Sequence, residues 1–168
     1  MRACTILAAK YLIAICTVAI CMPYFAQQAL ALTAREAETV VGILEKLKAE
    51  NVQITYDQDA ADDWFEQDAD RQKLVTKAGL NQKTWKVAVD ETMTGFFASI
   101  PEAEIKTIFD NLRKRLEATP SMTAAQKTAM REMLETQYKE INDLRTQGKP
   151  FAAIVTPLTP RLRKLAFE

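Results

Sequence analysis

Histidine is absent from this sequence, and its three cysteines, Cys4, Cys16 and Cys21, all fall within the first 21 residues. Beyond residue 21 there is therefore no Ser-His or Cys-His nucleophile pair, no usual zinc shell and no haem ligation by histidine. Glycine occurs four times, too sparsely for a loop that cradles phosphate. Turn-separated alternation of the β-sandwich kind is also missing. Neither sign of charge dominates, with 22 basic against 22 acidic residues, so neither nucleic acid nor an anionic membrane is an expected partner. Paired carboxylates and lysines are what remains for catalysis, and no catalytic residue or cofactor is singled out by the pattern.

What is present begins with an export signal. Arg2 and Lys10 give the first ten residues two positive charges and no acid, and residues 11–25 form an apolar run broken only by Thr17 and Pro23. Gln27-Gln28 then precede Ala29-Leu30-Ala31, a small-x-small site of the type a signal peptidase reads. Fifteen residues span roughly 22 Å as a helix, short of the roughly 30 Å hydrocarbon core. Ile20 before Cys21 does not suit lipidation. Residues 1–31 are expected to be a cleaved signal peptide, with no membrane anchor afterwards and a periplasmic or secreted product. Cleavage removes all three cysteines together with Arg2 and Lys10, leaving 20 basic against 22 acidic residues and a net charge of −2. Residues 32–168 then form one domain, held by packing without disulfides.

Helix signals recur along that domain. Thr33-Ala34-Arg35-Glu36 is a capping box, followed by a stripe of Val40, Val41, Ile43, Leu44 and Leu47 that ends near Asn51. Val52, Ile54 and Tyr56 read as an extended connector, and residues 71–78 as a short helix stopped by Gly79. Asn81 caps a helix with Trp85, Val89, Met93, Phe96, Phe97 and Ile100 on one side. Pro101 opens another, with Ile105, Ile108, Phe109, Leu112 and Leu116 on its buried face. Met122-Thr123-Ala124-Ala125-Gln126 begins the longest helix, whose face is Met130, Met133, Leu134, Tyr138, Ile141 and Leu144 and whose end is Gly148-Lys149-Pro150. A last segment is kinked or restarted by Pro157 and Pro160, with Arg161, Arg163 and Lys164 placed to suit the helix dipole. The expected fold is all-α, an irregular bundle of about five or six helices.

Two groups of candidate site residues stand out. Asp57, Asp59, Asp63 and Asp68 lie in an acidic segment, residues 57–70, and the first three match ligand positions one, three and seven of an EF-hand loop. Ala61, Asp62 and Asp68 break that pattern, so a polar loop and helix start is the plainer reading. Trp64 and Phe65 within this segment are either core anchors or a recognition patch. Met122, Met130 and Met133 form either a pliable binding surface or core.

Met122-Thr123-Ala124-Ala125-Gln126-Lys127, followed by Met130-Arg131-Glu132-Met133-Leu134, resembles the Leu-Thr-x-x-Gln motif of the Spy/CpxP group, and Leu32-Thr33-Ala34-Arg35-Glu36 is a near match to its second copy. The resemblance covers about 20 of 168 residues, with Met122 in place of the first leucine, Glu36 in place of a glutamine, and no strongly basic cradle. It implies a small helical periplasmic protein with an envelope-stress or chaperone-like role. More broadly, the chain resembles short exported helical proteins of proteobacteria. The expected function is non-enzymatic binding of another protein or peptide. The alternatives are a calcium or small-ligand module on residues 57–70, and a carboxylate-dependent enzyme acting on cell-wall glycans.

Overall fold

The computed structural model describes residues 32–167; the expected signal peptide lies outside them. The described residues are all-helical: α1 (Ala34–Ala49), α2 (Ala60–Ala69), α3 (Leu74–Lys77), α4 (Gln82–Ser99), α5 (Glu102–Ala118), α6 (Ala124–Gly148), α7 (Ala152–Val155), a 3-10 turn at Thr156–Leu158, and α8 (Thr159–Phe167). Six of these helices exceed two turns, and α3 and α7 are single turns, giving the all-α bundle expected.

The helix starts lie where the short polar residues put them. Thr33, Asn81 and Thr123 each close a reciprocal capping box, with Glu36, Thr84 and Gln126 as partners. The stops follow the left-handed residues. Asn51 (φ 65°) ends α1 in a Schellman arrangement, in which Val52 N–H donates to Leu47 O at 3.0 Å and Asn51 N–H to Lys48 O at 2.9 Å. Gly79 (φ 84°) ends α3 the same way, through Leu80 N–H to Val75 O at 3.1 Å.

The hub is α4, against which α1, α2, α6, α7 and α8 all pack. Its buried stripe runs from Trp85 through Ala88, Val89, Thr92 and Met93 to Phe96, wide enough to face neighbours on several sides. Two indoles fix the acidic segment: Trp85 Nε1 of the hub donates to Ala61 O at 2.8 Å, and Trp64 Nε1 to Gln53 O of the connector at 3.3 Å. Each ring thus buries its apolar body and satisfies its polar handle, the condition for a tryptophan to sit in a core. Within α4, Thr92 Oγ1 is buried and finds no partner among the described residues.

Cross-ties close the bundle. Arg161 of α8 makes a bidentate pair with Glu45 (2.7 and 2.6 Å) and reaches Glu38, both on α1. Arg163 makes a second bidentate pair with Glu104 of α5, at 2.7 and 2.9 Å. These two side chains therefore act across helices, in place of the dipole role expected on α8 itself. The C-terminal carbonyls of α8 receive Lys48 Nζ instead, on Lys164 O and Leu165 O at 2.9 and 2.8 Å.

Candidate functional site

The residues singled out in the sequence separate in space. Trp64 is fully buried and Phe65 half-buried on α2, so the first of this pair is core. Asp68 is also buried, 2% exposed, with both carboxylate oxygens in use: Oδ1 accepts from Leu74 N–H and Oδ2 from Val75 N–H, each at 2.8 Å. It caps α3 from a distance. Asp57 accepts from Asp59 N–H at 3.0 Å, which shapes the entry to α2, and Asp59 and Asp63 are exposed. Among the described residues no group of three or more acidic side chains is arranged to hold a metal ion. Residues 57–59 form an exposed polar bend and residues 60–69 a helix, in line with the plainer reading of a polar loop and helix start.

The methionines divide as well. Met122 and Met130 are half-buried against the core, whereas Met133 is 43% exposed. Its exposure has a structural origin in how α5 and α6 pair. These two helices form an antiparallel arm in which α5 packs chiefly on α6. Arg113 pairs with Glu135 at 2.9 Å, and Arg131 with Glu117 at 2.6 and 3.1 Å, while Phe109 meets the Tyr138 ring edge-on with centroids 5.1 Å apart. Only Ile105, Phe109 and Leu116 of α5, and Leu134 and Gly148 of α6, are buried. Met130, Tyr138 and Ile141 of α6 still pack against the core, whereas Met133 and part of the α5 stripe are left uncovered. Ile108 is 48% and Leu112 38% exposed, side by side at i, i+4 spacing on α5. The ion-pair register sets Met133 level with Arg115, within one turn of Leu112.

Four large apolar side chains are strongly exposed among the described residues: Val87, Ile108, Leu112 and Met133. Three of the four belong to this arm. Scattered exposed apolar residues are ordinary on a protein surface, and their concentration on one helix pair is the informative feature.

On the other side of α6 lies a cleft of about 800 Å³, lined by Tyr56 and Asp57 of the connector, Lys86, Asp90 and Thr94 of α4, and Glu140 and Asp143 of α6, with others. Tyr56 Oη donates to Asp90 Oδ1 at 3.2 Å. Burial raises the Asp90 carboxyl above its ordinary value, an effect that Tyr56 and Lys86 partly offset. Burial also raises the Tyr56 hydroxyl, and the charge of Asp90 adds to it. Lys86 is drawn the other way, onto Asp62, whose second oxygen accepts from Gln82 Nε2 at 3.0 Å. Of its four acids, Asp143 is already paired with Lys139 at 2.6 Å. Asp90 is the one half-buried carboxyl lining it, and its hydrogen bond goes to a phenol and not to a second carboxylate.

Sequence reasoning did not find this cleft, because Tyr56, Asp90 and Glu140 come from three distant segments. The exposure of Ile108 and Leu112 was also missed. Their helical spacing is that of a core face, and only the absence of a covering helix distinguishes the two cases. No protein-family model, curated protein or solved structure is found to match the chain.

Proposed function

We propose that this chain is an exported, periplasmic or secreted, non-enzymatic protein that begins at Leu32 after signal cleavage. It binds another protein or peptide through the α5–α6 arm. The observation that carries this reading is the concentration of uncovered apolar side chains, Ile108, Leu112 and Met133, on that one arm. Half-buried Met122 and Met130 extend the stripe towards the α5–α6 turn with a side chain that adapts to varied partners. The sharpest form is chaperone-like: an apolar stripe flanked by Arg113, Glu117, Arg131 and Glu135 suits transient contact with unfolded chains. The resemblance of the two capping-box segments to the Spy/CpxP motif supports the same direction.

The test is light scattering of an aggregating unfolded client at equimolar ratio with the purified 32–168 chain. The expected result is slowed aggregation by the wild type. Ile108→Asp combined with Leu112→Asp is expected to lose that effect, with client affinity about tenfold weaker or more from the lost apolar contact. Both positions face solvent, so the double variant keeps its fold, as circular dichroism would verify. A wild-type chain that leaves aggregation unchanged would remove the chaperone form.

A further inference from the structure

Val52, Ile54 and Tyr56 alternate in sequence like a strand, and the structure keeps that alternation. Residues 52–56 run without a turn or bend; Val52 is buried, Ile54 and Tyr56 are half-buried, and Gln53, Thr55 and Asp57 are exposed. This is the two-residue period of a strand with one face on a core, about 17 Å long. Nothing pairs with it. Among the described residues, the backbone N–H groups of residues 53–57 donate to no acceptor, and the carbonyls of residues 54–56 accept from no donor. Unpaired backbone groups cost too much to bury, so these face water.

In a strand, the N–H and C=O of one residue point to the same edge, and those of its neighbours to the other. Gln53 and Thr55 therefore share one edge, and Ile54 and Tyr56 the opposite one. The first is partly covered, since Trp64 Nε1 of α2 donates to Gln53 O at 3.3 Å. A hollow of about 160 Å³ lies alongside the connector, walled by Ile54, Thr55 and Tyr56, by Leu44 of α1, Phe96 of α4 and Leu165 of α8, among others. None of its walls comes from α2, so it opens on the Ile54–Tyr56 side. Apolar cavities of roughly 150 Å³ stay dry and accept a benzene-sized group.

We propose that this open edge docks an extended segment of another polypeptide, which adds to the connector as a second strand and seats an apolar side chain in the hollow. In antiparallel pairing, Ile54 and Tyr56 each exchange both backbone hydrogen bonds with one residue of the incoming chain. A neighbouring strand lies about 4.8 Å away, so every second side chain of the segment falls over the hollow. Backbone pairing then supplies affinity without regard to sequence, and the hollow selects an apolar residue. The partner is thus an extended stretch with apolar residues at alternate positions, as in an unfolded or β-forming chain. A helical ligand does not fit, because its N–H groups are already bonded within itself. The hollow takes no wall from α5 or α6, so this site is separate from the arm and stands without it.

The probe is a fluorescein-labelled peptide of alternating threonine and valine, with lysine at both ends for solubility, added to the 32–168 chain. Fluorescence anisotropy is expected to give a Kd on the order of 100 μM. Two N-methylated versions separate backbone pairing from apolar contact. Methyl groups on one set of alternate amides block one edge of the peptide, and on the other set the opposite edge. One version is expected to bind about tenfold more weakly than the parent, and the other within about twofold of it. In amide NMR spectra of the protein, the parent peptide is expected to shift the signals of Ile54 and Tyr56. No binding at about 1 mM peptide, or both methylated versions binding as the parent does, would overturn the proposal. So would shifts confined to residues 105–134, which would assign the peptide to the arm instead.

Discussion

Gly42 and Gly148 are both helical glycines, and a methyl group added to each meets opposite surroundings. A Cβ on Gly148 would lie 1.9 Å from Thr94 O and 2.7 Å from Gly95 N, so the end of α6 touches the α4 backbone directly. Gly148→Ala is expected to cost about 2–4 kcal/mol in urea unfolding, because backbone is the obstacle and cannot rotate away. A Cβ on Gly42 meets nothing within 4 Å, and Gly42→Ala is expected to gain about 0.5–1 kcal/mol from helix propensity. Equal effects at the two sites would contradict the α4–α6 contact. Read in sequence, Gly148 is merely a helix stop beside Pro150; its real constraint comes from residues about fifty positions earlier, invisible to local pattern. Asp90 gives a second residue-scale test. Its carboxyl is raised by burial, so the folded state favours the protonated form, and its ionisation costs stability as pH rises through the shifted range. Asp90→Asn keeps an acceptor for Tyr56 and is expected to stabilise the protein at pH 7. That gain should vanish below about pH 4, where the native carboxyl is protonated in both states.

Among the elements, α8 is tied to its neighbours by charge. Arg161 holds it to α1 through Glu45 and Glu38, and hydrogen bonding to Arg161 lowers the Glu45 carboxyl. A lowered carboxyl contributes stability above its unfolded value of about 4.3, and that contribution is lost as pH falls through the folded value. Arg161→Met is therefore expected to cost about 0.5–1 kcal/mol at pH 7, a figure discounted for the exposure of both partners. The cost should shrink below about pH 4 and in high salt, measured by thermal unfolding. A cost unchanged by acid would mean that packing of the arginine stem, and not the ion pair, fastens α8. Helix existence and ends were legible in the sequence wherever a cap residue or a left-handed terminator marks them, as at Thr33, Asn51, Gly79, Asn81 and Thr123. For α2 only a helix start was legible; its extent is fixed by two tryptophan hydrogen bonds to carbonyls. Such bonds have no local signature.

At the scale of the molecule, the same periodicity that makes α4 a hub makes α5 and α6 an arm. Periodic apolar residues say that a face exists, and only topology says whether another helix covers it. Trp64 therefore turned inward to the core while Ile108 and Leu112, with the same helical logic, turned out to be uncovered. The acidic segment shows the complementary lesson: Asp68 sits where a ligand would, yet its oxygens are committed to the Leu74 and Val75 amides. Binding through the arm is the claim to test directly, by hydrogen–deuterium exchange of the 32–168 chain with and without an unfolded client protein. Protection is expected at residues 105–116 and 122–134, with the hub α4 unchanged. Protection confined to other segments, or none at all under conditions where client is bound, would contradict it.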